Sequence, residues 1–342
     1  MKIAIHHRKG SFSDRWINYC EEKQIDYEIV NAYASDIIQQ IDGCDVFMWH
    51  FHQADYRDMQ IAKALILSLE AKGLRCFPNS QTCWHFDNKV WEKYLLEAID
   101  APLVPSFVFY TQKDALAWAS TAEFPKVFKL KGGAGASNVM LAHTQKEAVK
   151  LIKRCFDKGF EQYRWKDQLR EEWQKYCKKE VSIRDVIRPL FYAMKSYPTE
   201  YSHYHQKEIG YAYFQDFIPN NLGDTRVVVI GGKYAMAETR LVREGDFRAS
   251  GSGKFVYGNI DSRILEIAFT IADKLQMQSV AFDFIKDQNN PLIVEISFGF
   301  GTHGISHSGG YWTKDLRWHK DESLDFCGWI LEDLINVNSN NI

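Results

Sequence analysis

No stretch of this 342-residue chain is apolar for long enough to cross a membrane or to form the core of a signal peptide. The first ten residues, MKIAIHHRKG, are a short apolar run that ends in a basic turn. We therefore expect a cytoplasmic protein without a membrane span. Its 46% hydrophobic and 25% charged residues are typical of a globular chain, and its length allows two or three lobes that each bury a core.

The sequence also lacks an excess of charge of one sign and lacks paired cysteines. Its 42 basic residues are matched by 44 acidic ones, so the chain has no sustained field that would attract nucleic acid or an anionic membrane. We expect no nucleic-acid partner. The seven cysteines include no Cys-x-x-Cys pair, and their odd number argues against a complete disulfide framework, so reduced thiols are predicted.

The first 110 residues alternate between strand-like and helix-like patterns. Short apolar runs such as KIAIHH, IDYEIV and CDVFMWHF alternate with the amphipathic segments DRWINYCEEKQ and YRDMQIAKALILSLEAKG, the second of which ends at Gly73. Alternating strands and helices imply a mostly parallel sheet with helices on its faces. We therefore predict an N-terminal α/β domain over residues 1–110.

A glycine-rich stretch, FPKVFKLKGGAGASNVML at residues 124–141, has neither the P-loop pattern nor the dinucleotide-binding fingerprint. Apolar runs flank its glycines on both sides, which predicts two strands joined by a glycine-rich turn. Without a dinucleotide fingerprint, an oxidoreductase is a distant alternative. The residues alone leave open whether the turn binds a ligand or only joins two strands.

A second region, residues 111–215, contains an insert of different composition at about 160–210. The insert is rich in Tyr, Trp, Lys, Arg and Glu, and we predict helical and loop structure for it. Its aromatic and polar side chains suit a groove for a bulky or sugar-like acceptor, and the alternative is a contact in a homo-oligomer. The residues concerned are Trp165, Tyr192, Tyr197, Tyr201, His203, Tyr204 and His205.

The third region, residues 216–342, is rich in strands and contains a pair of acidic residues in SVAFDFIKDQNNPLIVEISFGFG. If DQNNP forms a five-residue turn, Asp283 lies opposite Glu295, and such like charges repel. Ala281, Ile285 and Ile293 would share their face, which favours partial burial and a shared divalent cation such as Mg²⁺ with substrate phosphates. The alternative is that both carboxylates point to solvent.

Arginines are frequent in DTRVVVIGGKYAMAETRLVREGDFRASGSG, which precedes this acidic pair. The forked guanidinium group matches phosphate oxygens, so arginines near a carboxylate hairpin suit a polyphosphate with Mg²⁺. Arg243 is followed closely by Glu244 and Asp246, so a surface salt bridge is the alternative for it. The arginines of this segment are Arg226, Arg240, Arg243 and Arg248.

Taken together, five motifs resemble the ATP-grasp superfamily, in the branch that contains glutathione synthetase and the ribosomal-protein glutamate ligase. They are FPKVFKLKGGAGASNV, FQDFI, GDTRVVVIGGKYAMAETR, REGDFR and the FDF…VEIS hairpin, and the resemblance extends over roughly residues 85–300. SFSDRW, MWHFH and GYWTKDLRWH are in addition similar to uncharacterised ATP-grasp proteins encoded with surface-polysaccharide genes. The resemblance implies an α/β N-terminal domain followed by a two-lobed α+β ATP-grasp fold whose lobes clamp ATP.

The resemblance also implies an activity. ATP-grasp ligases use ATP to phosphorylate a carboxylic acid, and an amine or another nucleophile then displaces phosphate from the acylphosphate. We therefore expect a ligase that releases ADP and phosphate, binds ATP with Mg²⁺ or Mn²⁺, and joins a small carboxylic acid to an amine, either of which could be sugar- or peptide-linked. A catalytically weak or inactive ATP-binding scaffold is the alternative.

Individual residues match the family motifs. The lysine at the position of Lys129 touches the phosphates, and the glycine turn covers them as a lid. Lys89 matches a second phosphate lysine in the first turn of a helix, and residues 215–218 match the linker whose backbone pairs with adenine. The resemblance thus implies nucleotide contacts from Lys89, Lys129, Gly132, Gly133, Gly135, Ala136, Ser137, Gln215, Asp216, Phe217, Ile218 and Asp224, metal ligation by Asp283, Glu295 and Ser297, and catalytic roles for Arg240 and Arg248.

Two positions depart from the family pattern. Ser297 stands where the branch has a metal-binding Asn, and a hydroxyl is a shorter and poorer Mg²⁺ ligand than an amide carbonyl. This substitution puts a second metal ion in doubt. Ser250 also stands where close relatives usually have Asn after the arginine of the DFR motif.

The histidines suit packing as well as ligand binding. His50 and His52 end a predicted strand of the first sheet, at the edge where open α/β sheets bind ligands, so either a substrate role or simple packing fits them. His303 and His307 have i, i+4 spacing, but the surrounding glycines argue against a zinc-binding helix.

Overall fold

A computed structural model describes residues 1–133, 138–161, 173, 176, 182–184, 187, 204, 207–243 and 245–336. The chain divides into two compact units. Unit 1 comprises Met1–His52, Arg57–Val104 and Ile218–Ile342, and unit 2 comprises Gln53–Tyr56 and Pro105–Phe217. No helix in the described ranges is long and apolar enough to cross a membrane.

Unit 1 begins with alternating strands and helices, as the sequence pattern predicts. The strands form a four-stranded parallel sheet in the order β2-β1-β3-β4. Gly73, with a φ of 96°, follows the third helix and ends it as expected. The elements are β1 (Lys2–His6), α1 (Phe12–Lys23), β2 (Asp26–Val30), α2 (Ile37–Gln40), β3 (Val46–Trp49), α3 (Tyr56–Ala71), β4 (Arg75–Phe77), α4 (Ser80–Cys83) and α5 (Lys89–Ala98).

Unit 2 contains a four-stranded antiparallel sheet in the order β5-β8-β6-β7. Strands β6 and β7 flank the glycine-rich stretch and pair with each other, which confirms the predicted strand–turn–strand unit. Phe128 and Phe214 pack with Ile152 in the core under the helices, so the next residues along each strand point to the other face. The elements are β5 (Ser106–Phe109), α6 (Gln112–Ala119), β6 (Lys126–Lys129), β7 (Val139–Ala142), α7 (Gln145–Phe156) and β8 (Ala212–Asp216).

The C-terminal part of unit 1 forms a seven-stranded antiparallel sheet in the order β13-β12-β9-β10-β14-β15, with β11 beside β10. An amphipathic helix, α8, covers one face of it. The elements are β9 (Gly223–Ile230), β10 (Tyr234–Leu241), β11 (Phe255–Val256), α8 (Ser262–Lys274), β12 (Ser279–Asp287), β13 (Asn290–Ser297), α9 (Thr302–Ile305), β14 (Gly310–Thr313), β15 (Trp318–Lys320) and α10 (Phe326–Asn336).

The two faces of this sheet bury different residues. Val227, Val229 and Phe282 point towards α8 and form one core with it. On the opposite face, Val228 and Ala281 join the core of the N-terminal sheet. Towards the other ends of the same strands this second face becomes charged, because side chains repeat every second residue along a strand. We call these residues, Asp224, Arg226, Glu238, Arg240 and Asp283, the charged face.

The hairpin between β12 and β13 confirms the predicted pairing of Asp283 with Glu295 but not the predicted turn. Asp287 pairs with Asn290, which leaves a two-residue turn whose residues both have positive φ, of 45° and 78°. A β-bulge next to Asp283 restores the register. Because of this bulge Ile293 packs on the α8 side, so the prediction that it shares the face of Asp283 is wrong.

Candidate functional site

Asp283 lies at the centre of the charged face. Arg226 donates to it from Nε to Oδ1 at 2.7 Å and from Nη2 to Oδ2 at 2.9 Å. Arg240 donates from Nη2 to the same Oδ2 at 2.7 Å, and its fork also holds Asp224 with two bonds of 2.7 and 2.6 Å. We call these four residues the arginine–carboxylate network.

The network is largely buried, and its charges depend on one another. Burial opposes ionisation of Asp283, but Arg226 and Arg240 hold the pKa of its carboxyl well below its usual range. Burial, followed by the charge of Asp283, raises the pKa of Asp224. Two guanidinium groups thus face two carboxylates, and their orientations are fixed by paired hydrogen bonds.

Lys89 is the first residue of α5, as the sequence predicts. Asn88 caps this helix by accepting hydrogen bonds from the backbone N–H groups of Val90 and Trp91, both at 3.2 Å. A cation at this position opposes the helix dipole. The buried Lys89 Nζ lies 3.2 Å from Oε1 of Glu295, and that carboxylate offsets the unfavourable position. The structure therefore brings two residues of the predicted site together.

Glu92 also belongs to this group, although none of the sequence motifs identifies it. Its side chain is buried, and its Oε2 accepts a hydrogen bond from the backbone N–H of Ile296 at 3.3 Å. Burial, and then the charge of Glu295, raises the pKa of Glu92 well above its ordinary value. Its spacing of three residues from Lys89 places both on one helix face, which is the only available signal.

The oxygen donors that could hold a hard divalent cation are those of Asp283, Glu295 and Ser297, although both oxygens of Asp283 already accept hydrogen bonds from arginines. The two carboxylates face each other across the hairpin, and Ser297 follows Glu295 on the same side of β13. The Ser297 hydroxyl donates to the carbonyl oxygen of Gly299 at 2.6 Å, so its oxygen keeps its lone pairs. Among the described residues no group of three or more His, Cys, Asp or Glu could hold a metal ion. These donors suit Mg²⁺, which needs few carboxylates when phosphates and water complete its shell.

Unit 2 places Lys129 at the end of β6, three residues before Gly132, the first glycine of the turn. Its Nζ donates to Oε1 of Gln215 at 2.6 Å, and Gln215 donates to Oγ of Ser106 at 3.0 Å. Lys126 pairs with Asp216 at 2.5 Å on the opposite face of the sheet. Two predicted nucleotide residues, Lys129 and Gln215, are therefore in direct contact.

The remaining predicted residues are placed as follows. Gly132 and Gly133 follow β6, and Gly133 has a φ of 102° that favours glycine. Phe217 and Ile218 directly follow β8. Gly135, Ala136 and Ser137 lie outside the described residues, as does most of the insert at 160–210.

Arg248 makes a local ion pair. Its Nε and Nη2 donate to Oδ2 of Asp246 at 2.8 and 2.6 Å, within the segment that joins β10 to β11. Arg243 of the same segment donates to the carbonyl oxygen of Ser250 at 2.9 Å. Arg226, in contrast, donates two hydrogen bonds to Asp283, and the sequence motif did not distinguish Arg226 from the other arginines of its segment.

His50 is buried by packing in the N-terminal sheet. Its ring stacks on Phe12 with the centroids 3.7 Å apart, and Nδ1 accepts a hydrogen bond from the Phe12 backbone N–H at 3.3 Å. Burial lowers the pKa of His50 to about 3, so the ring is neutral at physiological pH. These contacts favour the packing interpretation of the sequence.

Glu238 is the second acidic residue that sequence reasoning missed. It pairs with Arg226 across β9 and β10, yet the side chain is only 2% exposed and its Oε2 is buried with no hydrogen-bond partner. Burial raises the pKa of Glu238 to about 7. A glutamate in AMAETR carries no pattern that distinguishes a buried carboxyl from an exposed one.

This raised pKa predicts a pH dependence of folding stability. Between the ordinary pKa of 4.5 and about 7, the folded state holds the proton of Glu238 more tightly than the unfolded state does. Stability from this group is therefore present at low pH and is lost as the pH rises through 7, by on the order of 2 kcal/mol. Urea denaturation of wild type and Glu238→Gln at pH 5 and pH 8 measures it. The wild type should lose more stability than the variant, and parallel losses would contradict the prediction.

The sequence matches a family model over part of its length. Residues 204–312, about a third of the chain, match the RimK-like ATP-grasp domain. A probable alpha-L-glutamate ligase of Enterobacter sp. is 30% identical over 99 residues, which cover 28% of this chain and 33% of that protein. The ribosomal protein bS6–L-glutamate ligase of Escherichia fergusonii is 29% identical over 119 residues, covering 33% and 40%. The chain thus spans well under half the length of these relatives.

Solved structures match over nearly the whole chain. A RimK domain ATP-grasp protein from Sphaerobacter thermophilus has a TM-score of 0.58 at 14% identity and covers 98% of this chain and 100% of its own. D-alanine–D-alanine ligase from Bacillus anthracis, complexed with ATP, has a TM-score of 0.56 at 10% identity and covers 100% and 99%. At these identities the likeness shows the fold, and it confirms an N-terminal α/β region with a two-lobed ATP-grasp fold.

Proposed function

The chain belongs to the ATP-grasp superfamily, and we propose that it is an ATP-dependent ligase that joins a carboxylic acid to an amine through an acylphosphate, releasing ADP and phosphate. The observation that carries the proposal is the pairing of Asp283 with Glu295, flanked by Arg226, Arg240 and Lys89. Fixed cations beside two oxygen ligands suit the transfer of a phosphoryl group, in which positioning and charge stabilisation supply most of the catalysis.

In unit 1, the carboxylates of Asp283 and Glu295, with the Ser297 hydroxyl, would hold Mg²⁺. When bound, that ion would neutralise phosphate charge and orient the phosphoryl group. Lys89 would exchange part of its contact with Glu295 for a phosphate oxygen. Arg240, held in place by Asp224 and Asp283, would stabilise the negative charge that develops on the acid carboxylate and the transferred group.

In unit 2, Lys129 would bind phosphate oxygens with its ammonium group, in place of its contact with Gln215. Gly132 and Gly133 would let backbone amides approach the phosphates, because no Cβ stands in the way. The backbone of residues 215–218 would pair with adenine. In unit 1, Arg248 would contribute a further cation after leaving Asp246, and Asp224 would line the nucleotide.

The relatives favour an amino acid as one substrate. Both are named as L-glutamate ligases, and the matching part of this chain carries the charged face and the carboxylate hairpin. We propose L-glutamate as the first amine to be tried, with peptide or sugar-linked acids as partners. The predicted role of the insert at 160–210 in binding the bulkier partner falls on residues that lie mostly outside the described part of the chain.

ADP release tests the proposal. Purified protein is incubated with ATP, Mg²⁺ and pairs drawn from a set of carboxylic acids and amines, with ADP and phosphate both measured. We expect one pair to raise the release of both products equally, and omission of either substrate to reduce it. Tight ATP binding without release for any pair would support the ATP-binding scaffold instead.

A further inference from the structure

Glu238 is a buried carboxyl that the proposed reaction does not use. It lies on the charged face, and its buried Oε2 accepts no hydrogen bond from any of the described residues. An ionised carboxylate buried without a donor costs several kcal/mol, so native proteins rarely keep one where no ligand satisfies it. The neighbouring arginines do not satisfy it, because the bonds of Arg226 and Arg240 go to Asp224 and Asp283.

The charged face carries one carboxyl group more than it has guanidinium groups. Within the arginine–carboxylate network two guanidinium groups balance two carboxylates. When it is ionised, above its raised pKa of about 7, Glu238 is therefore the one negative charge of this face without a matching cation. A ligand that balances the charge of Glu238 and satisfies its oxygen must bring positive charge and N–H donors together, which an ammonium group does.

Gly304 packs directly against the carboxyl of Glu238 and closes that side of it to any other group. A Cβ on Gly304, in α9, would lie 1.7 Å from Oε2 of Glu238. Tyr257 is close, but its hydroxyl donates to the carbonyl oxygen of Gly304 at 2.8 Å. On the other side, the cross-strand neighbour Arg226 keeps 19% of its side chain exposed, so a ligand of Glu238 would have to enter past Arg226.

We propose that Glu238 binds the ammonium group of the amine substrate and holds it beside the arginine–carboxylate network. The inference rests on the proposed ligase function and deepens it, because it assigns the nucleophile to a primary amine that arrives protonated. The amine would pass one proton to the Glu238 carboxylate before its nitrogen attacks the acylphosphate and phosphate leaves. The nitrogen would lie on the same strand face as Asp283, where the proposed phosphoryl transfer takes place.

The raised pKa of Glu238 supports this placement. Burial is the largest cause and raises this pKa. The charges of Arg226 and Arg240 lower it, and those of Asp283 and Asp224 raise it. Tyr257 faces the same carboxyl from the segment after β11. An ammonium ion binds the ionised form, so affinity for the amine should fall as the pH drops below about 7.

The test uses the whole chain and two small cations as probes. Methylammonium chloride carries three N–H donors, whereas tetramethylammonium chloride carries the same charge and none. Thermal denaturation at pH 8, at matched ionic strength, compares their effects on wild type, Glu238→Gln and the control Asp287→Asn, which alters an exposed carboxylate at the end of β12.

We expect methylammonium to raise the melting temperature of wild type and of Asp287→Asn more than tetramethylammonium does. In Glu238→Gln this difference should disappear, and Glu238→Leu should behave in the same way if the amide variant folds poorly. Without any amine, Glu238→Gln should melt above wild type, because it no longer buries an unpaired charge. The inference would be overturned if both probes raised the melting temperature of wild type equally. It would also be overturned if methylammonium exceeded tetramethylammonium by the same amount in every variant.

The outcome is independent of turnover. One outcome is that no acid and amine pair releases ADP while the rise in melting temperature with methylammonium still requires Glu238. In that case the proposed ligase function fails and the amine site stands. If a pair is found, Glu238→Gln should raise the KM for the amine at least tenfold and leave the affinity for ATP unchanged. An unchanged KM would overturn the inference while the ligase function stands.

Discussion

Replacing Glu295 by glutamine should lower ATP-dependent turnover by about 1,000-fold or more, because the proposed metal would lose one of its two charged protein ligands. The same change leaves the buried Lys89 without the carboxylate 3.2 Å away. Turnover is measured while Mg²⁺ is titrated at saturating ATP, and thermal denaturation of the variant shows whether the protein is folded.

Ser297→Asn and Asp287→Asn are the matched variants for this experiment. The asparagine at 297 offers an amide carbonyl to the metal, and we expect it to lower the Mg²⁺ concentration for half-maximal turnover by about threefold to tenfold. The exposed Asp287 on the same hairpin should leave the titration unchanged. An active Glu295→Gln variant together with an unmoved Ser297→Asn titration would show that this hairpin is not the metal site.

Replacing Lys129 by methionine should weaken the binding of Mg·ATP by about 10- to 100-fold, since a charge-assisted hydrogen bond to phosphate is lost. Methionine keeps much of the length and apolar volume of the side chain, so the sheet of unit 2 should remain packed. Isothermal titration calorimetry with ATP and Mg²⁺ measures the effect.

Lys150→Met is the control for this prediction. Lys150 is exposed on α7 of the same unit, so its replacement removes the same charge without touching the β6–β8 contacts. Its affinity for ATP should equal that of wild type. Equal affinity in Lys129→Met and Lys150→Met would remove Lys129 from the nucleotide site.

The backbone pattern was largely predictable because it depends on local signals. Alternating apolar runs gave the parallel sheet of unit 1, and apolar runs on both sides of the glycines gave β6 and β7. The pairing of Asp283 with Glu295 was also predicted, although through a turn of the wrong length. A bulge next to Asp283 compensated for that error, and bulges have no reliable sequence signature.

The buried charges of the site were less predictable because burial depends on tertiary packing. Glu92 and Glu238 are ordinary glutamates in their local sequence, and only the assembled unit removes them from water. Arg226 was recognised as one of several arginines, but its two bonds to Asp283 depend on strands that meet across the sheet. Residues chosen by their motif alone, such as Arg248, make local contacts here.

Transfer of oxygen from the acid to phosphate tests the central claim most directly. Once an acid that supports ADP release is found, its carboxylate is labelled with oxygen-18, and the phosphate released in the presence of the amine is analysed by mass spectrometry. Formation of an acylphosphate predicts one labelled oxygen in each phosphate released, together with ADP. Unlabelled phosphate, or AMP and pyrophosphate in place of ADP and phosphate, would contradict the proposed reaction.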